Sequence, residues 1–232
     1  MATRIAVDIG GTYTDIVYFD AATGILSAGK VSTVPAAPEE GVLQAVREHV
    51  PADVLSSAEF FIHGTTVGLN ALIERRGATV GLLTTEGFRD ILELRRGDRK
   101  REYDLRWRPA DPLVPRHLRL GINERIRADG QVHAEMNEST IVRALETFKQ
   151  FGVDTIAVCL INAHANPVHE LRVEQVLREE GFEGGISLSH KISGEHREYE
   201  RTSTTVIDAF VRLRMSGSVS YTHLTLPTIY SV

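Results

Sequence analysis

Arg4-Ile5-Ala6-Val7-Asp8-Ile9-Gly10-Gly11-Thr12-Tyr13-Thr14-Asp15-Ile16-Val17-Tyr18-Phe19 is the stretch that decides the fold. Its first six residues are a short apolar run holding one acid. Gly10-Gly11 is a strong turn signal, and Thr12 to Phe19 alternates as a second strand. Asp20-Ala21-Ala22-Thr23-Gly24 makes a second turn before Ile25 to Ser32, a third strand. Three strands joined by two tight turns form an antiparallel meander.

The first turn also carries chemistry. It is not a Walker loop, because no Gly-Lys-Ser/Thr follows, and not a dinucleotide fingerprint, because a strand follows where a helix is needed. With no side chains at Gly10 and Gly11, backbone N–H groups can approach an anion. Thr12 and Thr14 add hydroxyls near the turn. Asp8, at the end of the first strand, is placed to hold magnesium through water, since that ion keeps several waters and needs only one or two carboxylates. A plain Gly-Gly hairpin explains the same residues, and turn chemistry alone leaves both readings open.

Outward from the meander, helices and strands alternate. Pro35 to Val50 reads as a helix with acids in its first turn. Ala58 to His63 is a strand, Gly64-Thr65-Thr66 a loop, and Val67 to Arg76 a helix stopped by Gly77. Thr79 to Leu83 is a buried strand and Glu86 to Leu94 a short helix. Residues 109–136 read as irregular strands, His117 to Ile126 being the best. Glu138 to Phe151 is amphipathic, with Ile141, Val142, Leu145, Phe148 and Phe151 on one face. Asp154 to Ile161 is a buried strand. Asn166-Pro167 opens a helix that Gly181 ends. Ile186 to Leu188 is a strand, and a last helix begins near Arg197. This pattern is α/β with an antiparallel start.

Composition narrows the function classes. The 232 residues make one large domain or two small ones, with 42% hydrophobic and 25% charged residues, ordinary for a globular chain. A net charge of −5 argues against general nucleic-acid binding. The longest apolar runs are too short to span a bilayer, and the N-terminus has no apolar signal core, so no membrane role and a cytoplasmic setting are expected. The single cysteine, Cys159, leaves no internal disulfide and reads as a small buried hydrophobe. His164, His169 and Glu170 lack the spacing of a zinc site.

Asp8 to Asp15 resembles the first phosphate loop of the actin, heat-shock-chaperone and sugar-kinase superfamily. Further matches follow in order: His63-Gly-Thr-Thr-Val-Gly-Leu-Asn70, Thr84-Thr-Glu-Gly-Phe-Arg-Asp90, Tyr103-Asp-Leu105, Pro112-Leu-Val-Pro-Arg116, Asn166-Pro-Val-His-Glu170 and Glu198-Tyr-Glu-Arg-Thr-Ser-Thr-Thr205. Together they resemble the N-terminal region of the hydantoinase/oxoprolinase family. The resemblance implies a ribonuclease-H-like first part, residues 1–94, and an adjoining α/β subdomain, residues 95–217. It implies ATP and magnesium as cofactors, with Asp8, Gly10, Gly11, Thr12, Thr14 and Asp15 at the nucleotide phosphates and Asp8 holding the metal through water. It places His63, Gly64, Thr65, Thr66 and Asn70 across a cleft from the turn, as candidates for substrate, and adds Arg201, with Arg197 and Glu200 beside it.

The activity so implied is ATP-dependent opening of a cyclic amide, hydantoin or 5-oxoproline, or that of a homologous ketone-carboxylase subunit. A second hydantoinase-type subunit is the expected partner. Two alternatives stand beside it: a noncatalytic nucleotide-binding subunit that gates a partner, and another kinase-like enzyme of the same superfamily. The run Arg95 to Arg108 is either a solvated basic loop or a segment that meets phosphates or a partner. Residues 218–232 contain no Asp, Glu, Lys or Arg. Val219 to Thr228 back-translates into a sequence like a transposase adapter used for sequencing libraries, so this tail reads as an artefact rather than a C-terminal strand. On that reading the natural protein continues past about Gly217, and the fragment alone is expected to be inactive.

Overall fold

The computed structural model describes residues 2–34, 37–97, 99 and 103–224. The chain divides into two compact units, residues 1–76 with 214–232, and residues 77–213.

The first unit opens with the meander: β1 (Thr3–Ile9), β2 (Tyr13–Phe19) and β3 (Leu26–Ser32). Two helices, α1 (Pro38–His49) and α2 (Ala52–Ser56), lead to β4 (Ala58–Thr65) and α3 (Val67–Ile73). The sheet order is β3-β2-β1-β4, with β4 parallel to β1 and the other pairs antiparallel. Alternation divides β1 between two faces. Ile5, Val7 and Ile9 join Ile16 and Val31 in a core closed by Ala45 and Val46 of α1 and by Val50 just after it. Arg4, Ala6 and Asp8 take the opposite face.

The second unit holds a parallel sheet of order β10-β9-β5-β6: β5 (Val80–Thr85), β6 (Arg119–Ile122), β9 (Thr155–Cys159) and β10 (Gly185–Leu188). A two-stranded ribbon, β7 (Arg125–Ile126) and β8 (Val132–Ala134), lies between β6 and β9 in sequence. The unit's helices are α4 (Ile91–Leu94), α5 (Glu138–Gln150), α6 (Val168–Glu179), α7 (Ser189–Ile192) and the part of α8 (Glu198–Leu224) up to Leu213, the rest of α8 belonging to the first unit. Every residue of β5 and β9 is buried, as parallel strands covered on both faces require. One face meets α8, where Thr155 Oγ1 donates to the Ala209 carbonyl at 3.0 Å and Thr202 Oγ1 to Cys159 Sγ at 3.1 Å. The other meets α5, where a Cβ on Gly81 would stand 2.7 Å from the Phe148 ring.

The α/β class and the meander match the sequence reading. Several details do not. β4 runs two residues past His63, so Gly64 and Thr65 are strand rather than loop, held by pairing to Asp8 and Ile9. The helix after Thr66 ends before Gly77, because Arg75 turns left-handed at φ 54° and Arg76 N–H reaches back to the Ala71 carbonyl at 2.8 Å. Gly77 is needed for space instead: a Cβ there would lie 2.5 Å from the Phe210 ring and carbonyl. Glu86 to Asp90 is not helical, because Gly87 sits at φ 86°. His117 to Ile126 is divided between a 3-10 turn, Arg116–Leu118, and the strands β6 and β7. The units meet in sequence at Arg76–Gly77 rather than at residue 94, since β5 pairs with β9 and β6. The last helix continues to Leu224, and the tail from Thr225 onward lies outside the described residues.

Candidate functional site

The Gly10-Gly11 turn is gripped from both sides by side chains of its own unit. From the end of β3, Thr33 N–H donates to the Thr12 carbonyl at 3.0 Å and Thr33 Oγ1 to the Gly10 carbonyl at 3.0 Å. From the start of α3, the Thr66 N–H and hydroxyl both donate to the Ile9 carbonyl, at 3.1 and 3.2 Å. Asn70 Nδ2 in turn donates to Thr66 Oγ1 at 3.3 Å. Space bears on both glycines, through backbone at Gly10 and through a movable side chain at Gly11. A Cβ on Gly10 would stand 2.8 Å from the Tyr13 carbonyl, and one on Gly11 would stand 2.9 Å from Asn70 Nδ2.

This bracing leaves donors at the tip. Gly10 N–H is spent on the Tyr13 carbonyl at 2.9 Å, but neither Gly11 nor Thr12 N–H has an acceptor among the described residues. Both residues are exposed. A cavity of about 190 Å³ opens against the turn, lined by Gly10, Gly11, Thr33, Asn70, Arg76 and Arg214, among others. Glu74 also lines the cavity and pairs with Arg76 at 3.4 Å, so the free N–H groups and Arg214 are what suit an anion there.

The face of the sheet opposite the core carries a row of charge. Register sets Lys30, Asp15, Asp8 and Gly64 side by side across β3, β2, β1 and β4. Lys30 Nζ pairs with Asp15 Oδ1 at 3.0 Å and sits 5.1 Å from the centre of the Tyr13 ring. Asp8 is exposed and makes no hydrogen bond or salt bridge with a described residue. Gly64 gives its carboxylate room, because a Cβ there would lie 3.3 Å from Asp8 Oδ1. One strand over but level with Val7 on the core side of the sheet, His63 is held below the ordinary histidine value by burial, against the upward pull of the Asp8 charge.

The expected site residues therefore divide. Asp8, Gly10, Gly11 and Thr12 sit at the turn or on its open face, with Asp15 beside Asp8. Thr14 is fully buried and its hydroxyl shares a 3.0 Å hydrogen bond with Thr33 Oγ1, so it supports the turn from within instead of facing a ligand. Thr66 and Asn70 brace the turn, Thr65 Oγ1 accepts from Val67 N–H at the start of α3 at 3.2 Å, Gly64 lies beside Asp8, and His63 pairs with Val7 on the core side.

Arg201 belongs to the interior of the second unit. It is fully buried. Its guanidinium donates to the carbonyls of Leu160 at 2.9 Å and Glu195 at 2.7 Å, and to Ser189 Oγ at 3.1 Å. A side chain so occupied is a strut, and the sequence expectation of a substrate contact is corrected on that ground. Glu200 pairs with Arg96.

His169 and Glu170 are struts too. His169 Nδ1 lies 2.7 Å from Glu124 Oε2, and Glu170 accepts from Leu160 N–H, Ser189 Oγ and His190 N–H. Among the described residues no three His, Cys, Asp or Glu side chains assemble as a metal cage. Cys159 is buried, which pushes its thiol up and away from nucleophilic use. In the basic run, Arg95 donates to the Ala110 carbonyl at 2.9 Å, while Asp98, Lys100 and Arg101 lie outside the described residues. Among the described residues no helix is long and apolar enough to cross a membrane.

Sequence reasoning missed Thr33, Arg76 and Arg214. Thr33 had a signal, since it follows a strand that must pair back toward the turn. Arg214 had none, being brought to the unit from the far end of the chain.

Residues 4–181 match the family model described as the hydantoinase/oxoprolinase N-terminal region. The chain is 36% identical over 220 residues to caprolactamase subunit alpha of Pseudomonas jessenii, covering 90% of this chain and 31% of that one. It is 34% identical over 238 residues to the acetophenone carboxylase gamma subunit of Aromatoleum aromaticum, covering 94% and 32%. The crystal structure of the ATP-dependent caprolactamase from Pseudomonas jessenii superposes with a TM-score of 0.82 at 33% identity, over 96% of this chain and 33% of that one. The chain thus spans about a third of the length of these relatives.

Proposed function

Since the chain belongs to the hydantoinase/oxoprolinase family, whose N-terminal region it matches, we propose that it carries the first phosphate-binding part of an ATP-dependent enzyme that opens a cyclic amide of the hydantoin or 5-oxoproline class. The observation that carries this reading is the braced turn with its uncommitted Gly11 and Thr12 N–H groups, beside Arg76 and Arg214. The site fits a polyphosphate: donors without a Cβ in the way, the Arg214 cation, and a concave surface. The relatives named as caprolactamase and as ATP-dependent caprolactamase support ATP use and amide opening.

ATP supplies the phosphoryl group and the driving force that makes a stable amide carbonyl open to attack. The chain's own residues position and neutralise, which is most of what phosphoryl transfer asks of a protein. Gly11 and Thr12 N–H groups would hold phosphate oxygens, with Thr12 Oγ1 in reach of the same anion. Arg214 would offset its charge. Asp8, uncommitted and facing a partner already neutralised by Lys30, would hold magnesium through water; a single carboxylate is an ordinary arrangement for that ion. Asp15 keeps its charge paired and the strand register fixed.

A second reading, a subunit of an ATP-dependent ketone carboxylase with the same phosphate site, is favoured by the acetophenone carboxylase gamma subunit relative. Both relatives are named as subunits, which supports a hetero-oligomer; a second hydantoinase-type chain as the partner and a cytoplasmic setting are part of the proposal. Titration calorimetry of this chain with ATP and with AMP, with and without magnesium, tests the site. ATP should bind more tightly than AMP, and Asp8→Asn should remove the magnesium dependence while leaving magnesium-free binding. Equal affinity for ATP and AMP, or none for either, would reject it. In the longer protein, ATP consumption coupled to opening of a cyclic amide separates the hydrolase from the carboxylase subunit.

A further inference from the structure

The second unit has a concavity of about 550 Å³ that the nucleotide reading does not use. Its walls are the turn Glu86 to Asp90, the edge strand β6 and the face of α5 that carries Thr140, Arg143 and Thr147. That volume is in the range of small-molecule sites.

Its charges are distributed unusually. Arg116 is committed to Asp90, with Nε to Oδ1 at 2.8 Å and the second nitrogen to Oδ2 at 2.9 Å. Arg89 and Arg143 are exposed, and neither guanidinium makes a hydrogen bond or salt bridge with a described residue. Glu86 is likewise uncommitted among the described residues. Its carboxylate lies flat on the backbone of β6, where a Cβ on Gly121 would stand 2.1 Å from Oε2. Opposite charges therefore border one hollow without pairing to each other.

We propose that this hollow binds a small zwitterion of amino-acid type. Its carboxylate would be taken by the guanidinium groups of Arg89 and Arg143, whose planar forks match a carboxylate. Its ammonium would be taken by Glu86. A simple anion would leave Glu86 facing it, and a simple cation would face the uncommitted Arg89 and Arg143; only a ligand with both ends satisfies both walls. Gly121 is part of the specificity, because a side chain there would move the Glu86 carboxylate. The inference stands apart from the phosphate site in the first unit and does not rest on it.

The test is calorimetry on this chain with ω-amino acids of two to six carbons, each beside its N-acetyl derivative and its carboxamide, and with inorganic phosphate. One chain length should bind best, and removing either charge should weaken it by about tenfold, the loss of one charge-assisted contact. Glu86→Gln should erase the preference over the N-acetyl form, and Arg143→Gln the preference over the carboxamide. Gly121→Ala keeps every charge and should still weaken the parent ligand. Phosphate binding as tightly as every amino acid would overturn the zwitterion reading. So would the absence of binding by the whole series, or amino-acid affinity unchanged in Glu86→Gln and Arg143→Gln.

Discussion

Asn70 Nδ2 stands 2.9 Å from the point that a Cβ on Gly11 would occupy, and the same amide group holds Thr66 Oγ1 at 3.3 Å. Residue 11 therefore sets the seat of Asn70 and, through Thr66, the carbonyl of Ile9 at the end of β1. Gly11→Ala should push the Asn70 amide aside. The neighbour is the end of a flexible side chain, so urea denaturation should show a loss of about 1 kcal/mol, the low end for overpacking. Calorimetric ATP affinity should fall by more than that stability loss implies, because the methyl also blocks the approach to the Gly11 N–H. Unchanged ATP affinity with an equal loss of stability would make Gly11 a packing residue only.

Thr33→Val keeps the shape at the base of the turn and deletes its hydroxyl. The Gly10 carbonyl loses a 3.0 Å donor and the buried Thr14 hydroxyl loses its 3.0 Å partner. Stability should drop by about 1–3 kcal/mol, the cost of leaving buried polar groups unmade. Thr33→Ser, which restores the hydroxyl, should recover most of the stability and the ATP affinity. Failure of the serine to do better than valine would assign the effect to packing.

The elements legible in the sequence were those with a local signal. A short apolar run gave β1, alternation gave β2, the turn at residues 20–24 led into β3, and Gly10-Gly11 with Asp8 marked the first turn. The amphipathic stripe of Ile141, Leu145 and Phe148 gave α5, all three being buried. What stayed hidden depended on distant partners. Arg201 sits in a run dense in polar residues that reads as a solvated face, yet it is buried because carbonyls of residues 160 and 195 converge on it. Gly77 reads as a helix stop, but Phe210 determines it and Arg75 does the stopping. Thr14 reads as a ligand hydroxyl, and only the strand register shows that it points inward to Thr33.

Arg201→Met should be severely destabilising. It leaves the Leu160 and Glu195 carbonyls without their donor and the buried Glu170 carboxylate without the cation that reaches its Ser189 partner. Loss of one member of such a network costs about 3–5 kcal/mol. Arg201→Lys keeps the charge but not the fork, and should retain enough fold for binding measurements. Folded Arg201→Lys protein should bind ATP within twofold of wild type, with thermal stability reduced. Reduced stability with ATP affinity also lost would return Arg201 to the binding site.

Asp8 and His63 lie on neighbouring strands, Asp8 on the open face and His63 level with Val7 on the core side, and the Asp8 charge still acts on the imidazole. Burial is the larger influence on His63 and lowers its value, while the Asp8 charge raises it. The folded value is thus below that of the unfolded chain, about 6.5. A depressed histidine contributes stability that is present above its unfolded value and lost as pH falls through its folded one. The first unit should therefore weaken on acidification below about pH 6.5. Asp8→Asn removes only the raising influence, so it should move the His63 value further down and make this acid loss larger, extending it to lower pH from the same onset. A ring-resolved NMR titration of His63 in both proteins reads the two values directly. A value at or above the ordinary one in the wild type would mean that burial does not dominate at His63, and a rise in Asp8→Asn would mean that the Asp8 charge does not reach it.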